Sequence, residues 1–219
     1  GLKVKMSGTS LVIGSTGLIG KKLIFELAKK NSEVIAITRR SISNLPENVS
    51  LLDINFDDFL ESGSLPSCDH IYICLGTTIK KAGSQSEFKK VDFDYCVSFA
   101  RKAKEAGATK ISLVSSVGAN PHTKNFYLKT KGEVEEEIKK IDFQVINIFR
   151  PSLLLGRREE SRFLEKIGQN LSSFLNLFLI GYFRKYRSIK SSNIAYCMAN
   201  CEQSDGVRYF YFDDFNNNY

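Results

Sequence analysis

A short apolar run, Leu11–Gly14, passes straight into Gly14-Ser15-Thr16-Gly17-Leu18-Ile19-Gly20, after which Ile19, Leu23 and Leu27 recur every four residues. That order of strand, glycine-rich turn and amphipathic helix leaves few folds open. The early glycines let the backbone turn tightly and come close to a pyrophosphate, and the last lets helix and strand pack closely. The helix N-terminus then offers unpaired N–H groups and positive dipole to the phosphates. A bare glycine pattern proves little; the strand before it and the helix after it give it meaning. The plain alternative is a tight turn that binds nothing. We read Gly14, Ser15, Thr16, Gly17, Leu18, Ile19 and Gly20 as dinucleotide-contacting positions.

The alternation continues along the chain. Glu33–Thr38, Val49–Ile54, His70–Leu75, Lys110–Ser115 and Gln144–Phe149 read as further strands, each short and rich in β-branched, leucine or aromatic residues. A helix is predicted to open at Ser84-Gln85-Ser86-Glu87, a capping box, and to run towards Gly107. Another covers 127–140, with Gly132 its weak point. Strands alternating with helices imply parallel pairing through right-handed crossovers, hence an α/β, Rossmann-type doubly wound parallel sheet. With 219 residues, 42% of them hydrophobic, one domain with a substantial core is expected. Its dinucleotide-binding core spans about 9–150, and 151–219 forms a small C-terminal part, with a late strand at Val207–Phe212, that caps the sheet and shapes a substrate pocket. Residues 1–8 are expected outside the fold.

The second strand should state the cofactor. NAD-binding folds place an acidic residue about 20 residues beyond the glycines, on the ribose hydroxyls. Here Ile37-Thr38 leads into Arg39-Arg40 instead. Two guanidiniums suit a 2′-phosphate, which favours NADP(H) over NAD(H); a solvated basic turn is the alternative. Asp53, at the end of the third strand, and Leu75-Gly76-Thr77, after the fourth, should border the adenine and ribose; the alternative for each is an ordinary strand-end residue.

The fifth strand ends in Ser115-Ser116, and Tyr127 follows eleven or twelve residues on, with Lys131 one helical turn later. Tyr127 and Lys131 therefore share a helix face. An ammonium beside a phenol favours the phenolate, so the tyrosine can pass a proton to or from a carbonyl or alcohol oxygen while hydride moves at the neighbouring carbon. A serine hydroxyl at the strand end can bond that same oxygen, and Lys131 can also hold the nicotinamide ribose. A tyrosine and lysine at this spacing are common on helix surfaces. After a glycine turn and a strand-terminal serine, the set becomes specific.

These motifs resemble the short-chain dehydrogenase/reductase superfamily. The likeness extends through Cys74-Leu-Gly-Thr-Thr-Ile-Lys-Lys-Ala-Gly-Ser, Lys90-Val-Asp-Phe-Asp-Tyr, Phe149-Arg-Pro-Ser-Leu-Leu-Leu-Gly156 and Tyr186-Arg-Ser-Ile, and covers about residues 10–212. It is similar to the atypical, Tat-interacting-oxidoreductase-like branch, with its epimerase/dehydratase-like counterparts. The resemblance implies a catalytic set of Ser115 or Ser116, Tyr127 and Lys131. Ser116 precedes Val-Gly, as the superfamily's usual serine does, whereas Ser115 has the commoner spacing to the tyrosine. The superfamily's helical asparagine falls near Asp92, which could equally be a solvated helix residue. The chain is shorter than sugar-nucleotide epimerases, so an oxidoreductase is expected ahead of an epimerase.

Charge and cysteines bound the rest. Lys and Arg number 31 against 24 Asp and Glu, a net charge of +7. Because the basic residues are spread along the chain and some serve cofactor phosphates, nucleic acid is not the expected partner; a small, apolar substrate is. The apolar stretch 171–183, with basic residues behind it, is too short for a bilayer, which needs about 20 residues, and reads as core, pocket wall or a peripheral membrane contact. Five cysteines without a CxxC spacing and no signal-like start lead to an expectation of reduced thiols and a cytoplasmic location. Cys197 and Cys201 should pack on one helix. With two distant histidines, His70 and His122, no metal site is expected. The competing function is a cofactor-sensing regulatory or protein-binding module with little turnover.

Overall fold

A computed structural model describes residues 8–30, 33–152, 154–155, 184–185 and 189–216. In chain order the described elements are β1 (Thr9–Ile13), α1 (Leu18–Ala28), β2 (Glu33–Thr38), β3 (Val49–Asp53), α2 (Phe56–Ser62) and β4 (His70–Ile73). There follow α3 (Ile79–Ala82), α4 (Gln85–Lys89), a π-helical turn (Lys90–Tyr95), α5 (Cys96–Glu105), β5 (Lys110–Val114), α6 (Phe126–Lys139) and β6 (Val145–Phe149). Last come β7 (Leu154–Leu155), β8 (Ile189–Lys190), α7 (Ser191–Asn200), β9 (Gly206–Phe210) and α8 (Phe212–Asn216).

Seven strands form one parallel sheet in the order β3-β2-β1-β4-β5-β6-β9, while β7 and β8 pair separately. The order reverses at β1: the chain first winds outwards through β2 and β3, then returns to β4 on the other side. Side chains alternate across a strand. Leu11 and Ile13 therefore face a core with Phe59, Phe99 and Ile138 from α2, α5 and α6, while Val12 faces one with Leu23, Met198 and Phe215 from α1, α7 and α8. A crevice is expected at the carboxyl ends of β1 and β4, where the winding changes direction.

Several elements depart from the sequence reading. The helix from Ser84 is capped as expected, the Ser84 hydroxyl accepting the Glu87 N–H at 3.1 Å. It then divides into α4, the π-helical turn and α5, because the wider π-helical turn over Lys90–Tyr95 interrupts the α-helical bonding. Short helices α2 and α3 were not foreseen. The late strand stops at Phe210, since Phe212 opens α8 and is buried. Cys201 falls just beyond α7 as its C-cap. Gly8, expected outside the fold, stands directly before β1. No disulfide joins any of the five cysteines. Among the described residues no helix is long and apolar enough to cross a membrane. The stretch 171–183 and most of the expected capping region lie outside the described residues.

Candidate functional site

The three glycines of the turn have different duties. Gly14 sits in the left-handed region at φ +84°, and a Cβ there would press on the Cys74 carbonyl oxygen at 2.5 Å. At Gly20 a Cβ would collide with the Gly14 carbonyl. The fold itself requires both. Gly17 is extended and exposed at the N-cap of α1, and a Cβ there would meet only the Gly14 carbonyl, at 3.3 Å. That leaves open space over the helix N-terminus, which fits a pyrophosphate. Thr16 and Leu18 are exposed beside it, whereas Ile19 and Gly20 are buried. Ser15 turns inward. Its hydroxyl lies within hydrogen-bond distance of the Val12 and Ile37 carbonyls, at 2.9 and 3.0 Å, and so ties β1 to β2.

A cavity of about 310 Å³ opens beside this turn, with Gly14, Thr16, Gly17, Leu75, Gly76 and Thr77 in its wall. Arg39 borders both this cavity and a neighbouring one of about 320 Å³ that Asp53 and Phe56 help to line. The Arg39 guanidinium stands 5.0 Å from the centre of the Phe56 ring, a cation–π contact that orients it. Arg40 lines neither cavity; its backbone N–H and carbonyl bond the Thr38 hydroxyl. The arginine doublet is thus divided into one residue at the cleft and one that shapes the turn. Lys81 and Glu87 also line the first cavity and were not anticipated. Thr78, which caps α3 by accepting the Lys81 N–H, was the readable signal that a helix presents that lysine.

One face of α6 carries Tyr127, Lys131 and Glu135 at successive four-residue steps. Tyr127 packs on Phe88, with ring centres 5.3 Å apart, and the Lys131 ammonium is 5.6 Å from the Tyr127 ring centre. Lys131 donates to Asp92 at 2.5 Å, and Asp92 also accepts the Thr77 N–H at 3.1 Å. Asp92 is therefore not a solvated helix residue: it is 1% exposed within the π-helical turn. Such a turn re-aims one side chain out of helical register, here towards the cleft. Burial raises the Asp92 carboxyl above its ordinary value, against the pull of Lys131 and the Thr77 N–H. Burial is the largest influence on Lys131 and works against its charge, but Asp92 together with Tyr127 and Cys96 outweighs it and holds the ammonium above the usual lysine range.

The two serines are also separated. Ser115 is buried, and its hydroxyl donates to Glu135 at 2.6 Å. Glu135 in turn takes two bonds from Arg150, at 3.0 and 2.6 Å, and Arg150 donates to the Tyr211 hydroxyl at 2.6 Å and lies over the Tyr209 ring. The sequence reading missed this clamp, because its partners lie on three different elements. Ser116, only partly buried, bonds nothing closer than its neighbour's carbonyl at 3.3 Å. Gly132 is no weak point. The loop after β5 crosses α6 so closely there that a Cβ would collide with Pro121 and Asn120.

A family model described as NAD(P)H-binding matches residues 14–173. The chain is similar to the protein FMP52, mitochondrial, of Candida albicans, with 34% identity over 76% of this chain and 76% of that protein. It is 36% identical to the protein HTATIP2 of Rattus norvegicus over 72% of this chain and 68% of that protein. Among solved structures it is similar to the human epimerase family protein SDR39U1 with NADPH, with 18% identity and a TM-score of 0.58 over 93% of this chain and 74% of that one, a likeness of fold alone. Solved neighbours hold NAD as well as NADPH. The cytoplasmic location expected from the sequence is corrected here, since the FMP52 relatives are named mitochondrial proteins. With its glycine turn, its reversed strand order and a matching model over most of its length, the chain belongs to the NAD(P)H-binding family.

Proposed function

We propose that the chain is an NADP(H)-dependent oxidoreductase acting on a small carbonyl or alcohol through Ser116, Tyr127 and Lys131. One observation carries the reading: Asp92 bonds both Lys131 and the Thr77 N–H, so the lysine beside Tyr127 is anchored to the loop that borders the cofactor cleft. The first turn of α1 holds the pyrophosphate over Gly17. Arg39 takes the 2′-phosphate, and Asp53 borders the adenosine end. A bound nicotinamide supplies or takes up the hydride. Tyr127 gives its hydroxyl proton to the substrate oxygen, or accepts one from it. Lys131 holds positive charge beside the phenol and faces the ribose. Ser116 bonds the substrate oxygen, because the Ser115 proton is already spent on Glu135.

The second reading is a cofactor sensor. It is favoured by the engagement of Lys131 and Ser115 inside the protein before any ligand arrives. One set of measurements separates the two. In calorimetric titration NADPH should bind about 10–100-fold more tightly than NADH, the worth of a charge-assisted pair at Arg39. In a screen of carbonyl substrates followed by NADPH absorbance, Tyr127→Phe should lower turnover by about 10²–10⁴-fold with NADPH affinity unchanged. Full turnover in Tyr127→Phe would show the mechanism to be wrong. Tight NADPH binding with no turnover on any substrate gives the lead to the sensor.

A further inference from the structure

At the opposite, amino-terminal end of the sheet lies a third cavity, of about 150 Å³, between the starts of β1, β4 and β5 and the ends of α1 and α7. Ser10 on β1 belongs to its wall, while Gly14, just after the same strand, belongs to the cofactor cleft. The wall carries polar groups that the fold leaves without partners. Tyr72 is only 4% exposed, yet its hydroxyl has no hydrogen bond among the described residues. The Ser10 hydroxyl, on a residue 8% exposed, has none either. His70 stacks on Tyr72 with ring centres 3.9 Å apart and spends one ring nitrogen on the Ser112 hydroxyl at 2.9 Å; its other ring nitrogen has no protein partner. Burial drives His70 down to about 3, so this imidazole is neutral and donates or accepts without bringing charge.

Among the described residues the buried side-chain polar atom left unpartnered is the Asn147 Oδ1, so these two hydroxyls and one ring nitrogen open into the cavity itself, where they converge on whatever small molecule enters it. The charges choose its sign. Lys30 and Lys110 border the cavity against a single carboxylate, Asp69, which already accepts the Thr9 N–H at 2.7 Å; Lys30 spends one of its three donors on the Ala199 carbonyl and keeps its charge and the other two. Leu27 and Ala199 supply an apolar wall. A cavity of this volume takes a molecule of roughly benzene size. We propose that the chain binds a short-chain organic monocarboxylate in this cavity, its carboxylate between Lys30 and Lys110 and its body over Tyr72. The site is independent of the cofactor cleft and of any turnover there.

The probe is sodium butyrate, with butanol as its neutral counterpart and inorganic phosphate as a second anion, titrated into the whole chain while the ring resonances of His70 and Tyr72 are followed by NMR. Butyrate should shift both saturably, and butanol at least about tenfold more weakly, the worth of one charge-assisted bond. Lys30→Gln/Lys110→Gln and Tyr72→Phe should each weaken butyrate further, while NADPH titration shows that the variants are folded and their cleft intact. Shifts that do not saturate, equal response to butyrate and butanol, or binding of phosphate but not butyrate would each overturn the proposal. If a variant does not fold, the comparison of butyrate with butanol in the unaltered chain decides alone.

Discussion

Helix α6 carries two buried ion pairs four residues apart, and they are built for opposite purposes. Lys131 meets Asp92 by a single contact, on the side of the helix that faces the cofactor cleft. Glu135 meets Arg150 through both carboxylate oxygens, and the arginine is further fixed by Tyr209 and Tyr211 of the edge strand region. The difference that matters is the cation. A guanidinium cannot give up its charge in a protein, so Arg150 commits the fold permanently to a partner. An ammonium can lose its proton when its partner is removed, so Lys131 has an escape. The Glu135–Arg150 pair is a joint between β6, α6 and β9. The Lys131–Asp92 pair faces the cleft, where the proposed mechanism uses its lysine.

The comparison breaks first on stability. Glu135→Ala leaves Arg150 largely buried without its carboxylate and should cost about 3–5 kcal/mol in chemical denaturation, the usual result of breaking a buried pair. NADPH affinity of the folded fraction should be unchanged. A loss under about 1 kcal/mol would mean that Tyr211 and solvent suffice for Arg150, and that the clamp is decorative.

A smaller effect, with a pH signature, is expected at the other pair. In the unaltered chain Lys131 is held above the usual lysine value, so its contribution is fully present below pH 10 and is lost only as pH rises through that raised value. In Asp92→Ala the lysine would be depressed instead, the unfolded chain would bind the extra proton, and stability would rise with pH. The penalty should therefore fall by about 1.4 kcal/mol per unit and be capped near 2 kcal/mol at pH 9, the cost of deprotonating an ordinary lysine. Glu135→Ala should show no such slope over the same range. Parallel pH profiles for the two variants would erase the distinction.

The serines sharpen it at the smallest scale. Ser115→Ala removes a bond to the Glu135 carboxylate and should cost about 1.5 kcal/mol of stability with turnover little changed. Ser116→Ala should do the reverse. Exchange of these outcomes would place Ser115 at the substrate and the clamp within the site.

The parts of this protein that were legible in its sequence are those set by local rules. A strand, a glycine turn and a helix are consecutive residues, so the cleft at Gly14–Gly20 could be located before any tertiary structure was known. Tyr127 and Lys131 were legible for the same reason, since helix geometry alone places them on one face. Two short helices escaped because segments of four and seven residues carry too little periodicity to stand out. The two ion pairs escaped for a stronger reason. Asp92 and Lys131 are 39 residues apart, and whether a carboxylate is solvated or buried against an ammonium depends on where separate elements meet. The same holds for Arg39 and Arg40, alike in sequence and divided only by which one turns towards Phe56. Local covalent geometry and hydrophobic period determined the sheet and its glycine turn. Burial and long-range contact, which exist only once the chain has packed, decided which charges face the cleft and which lock the fold.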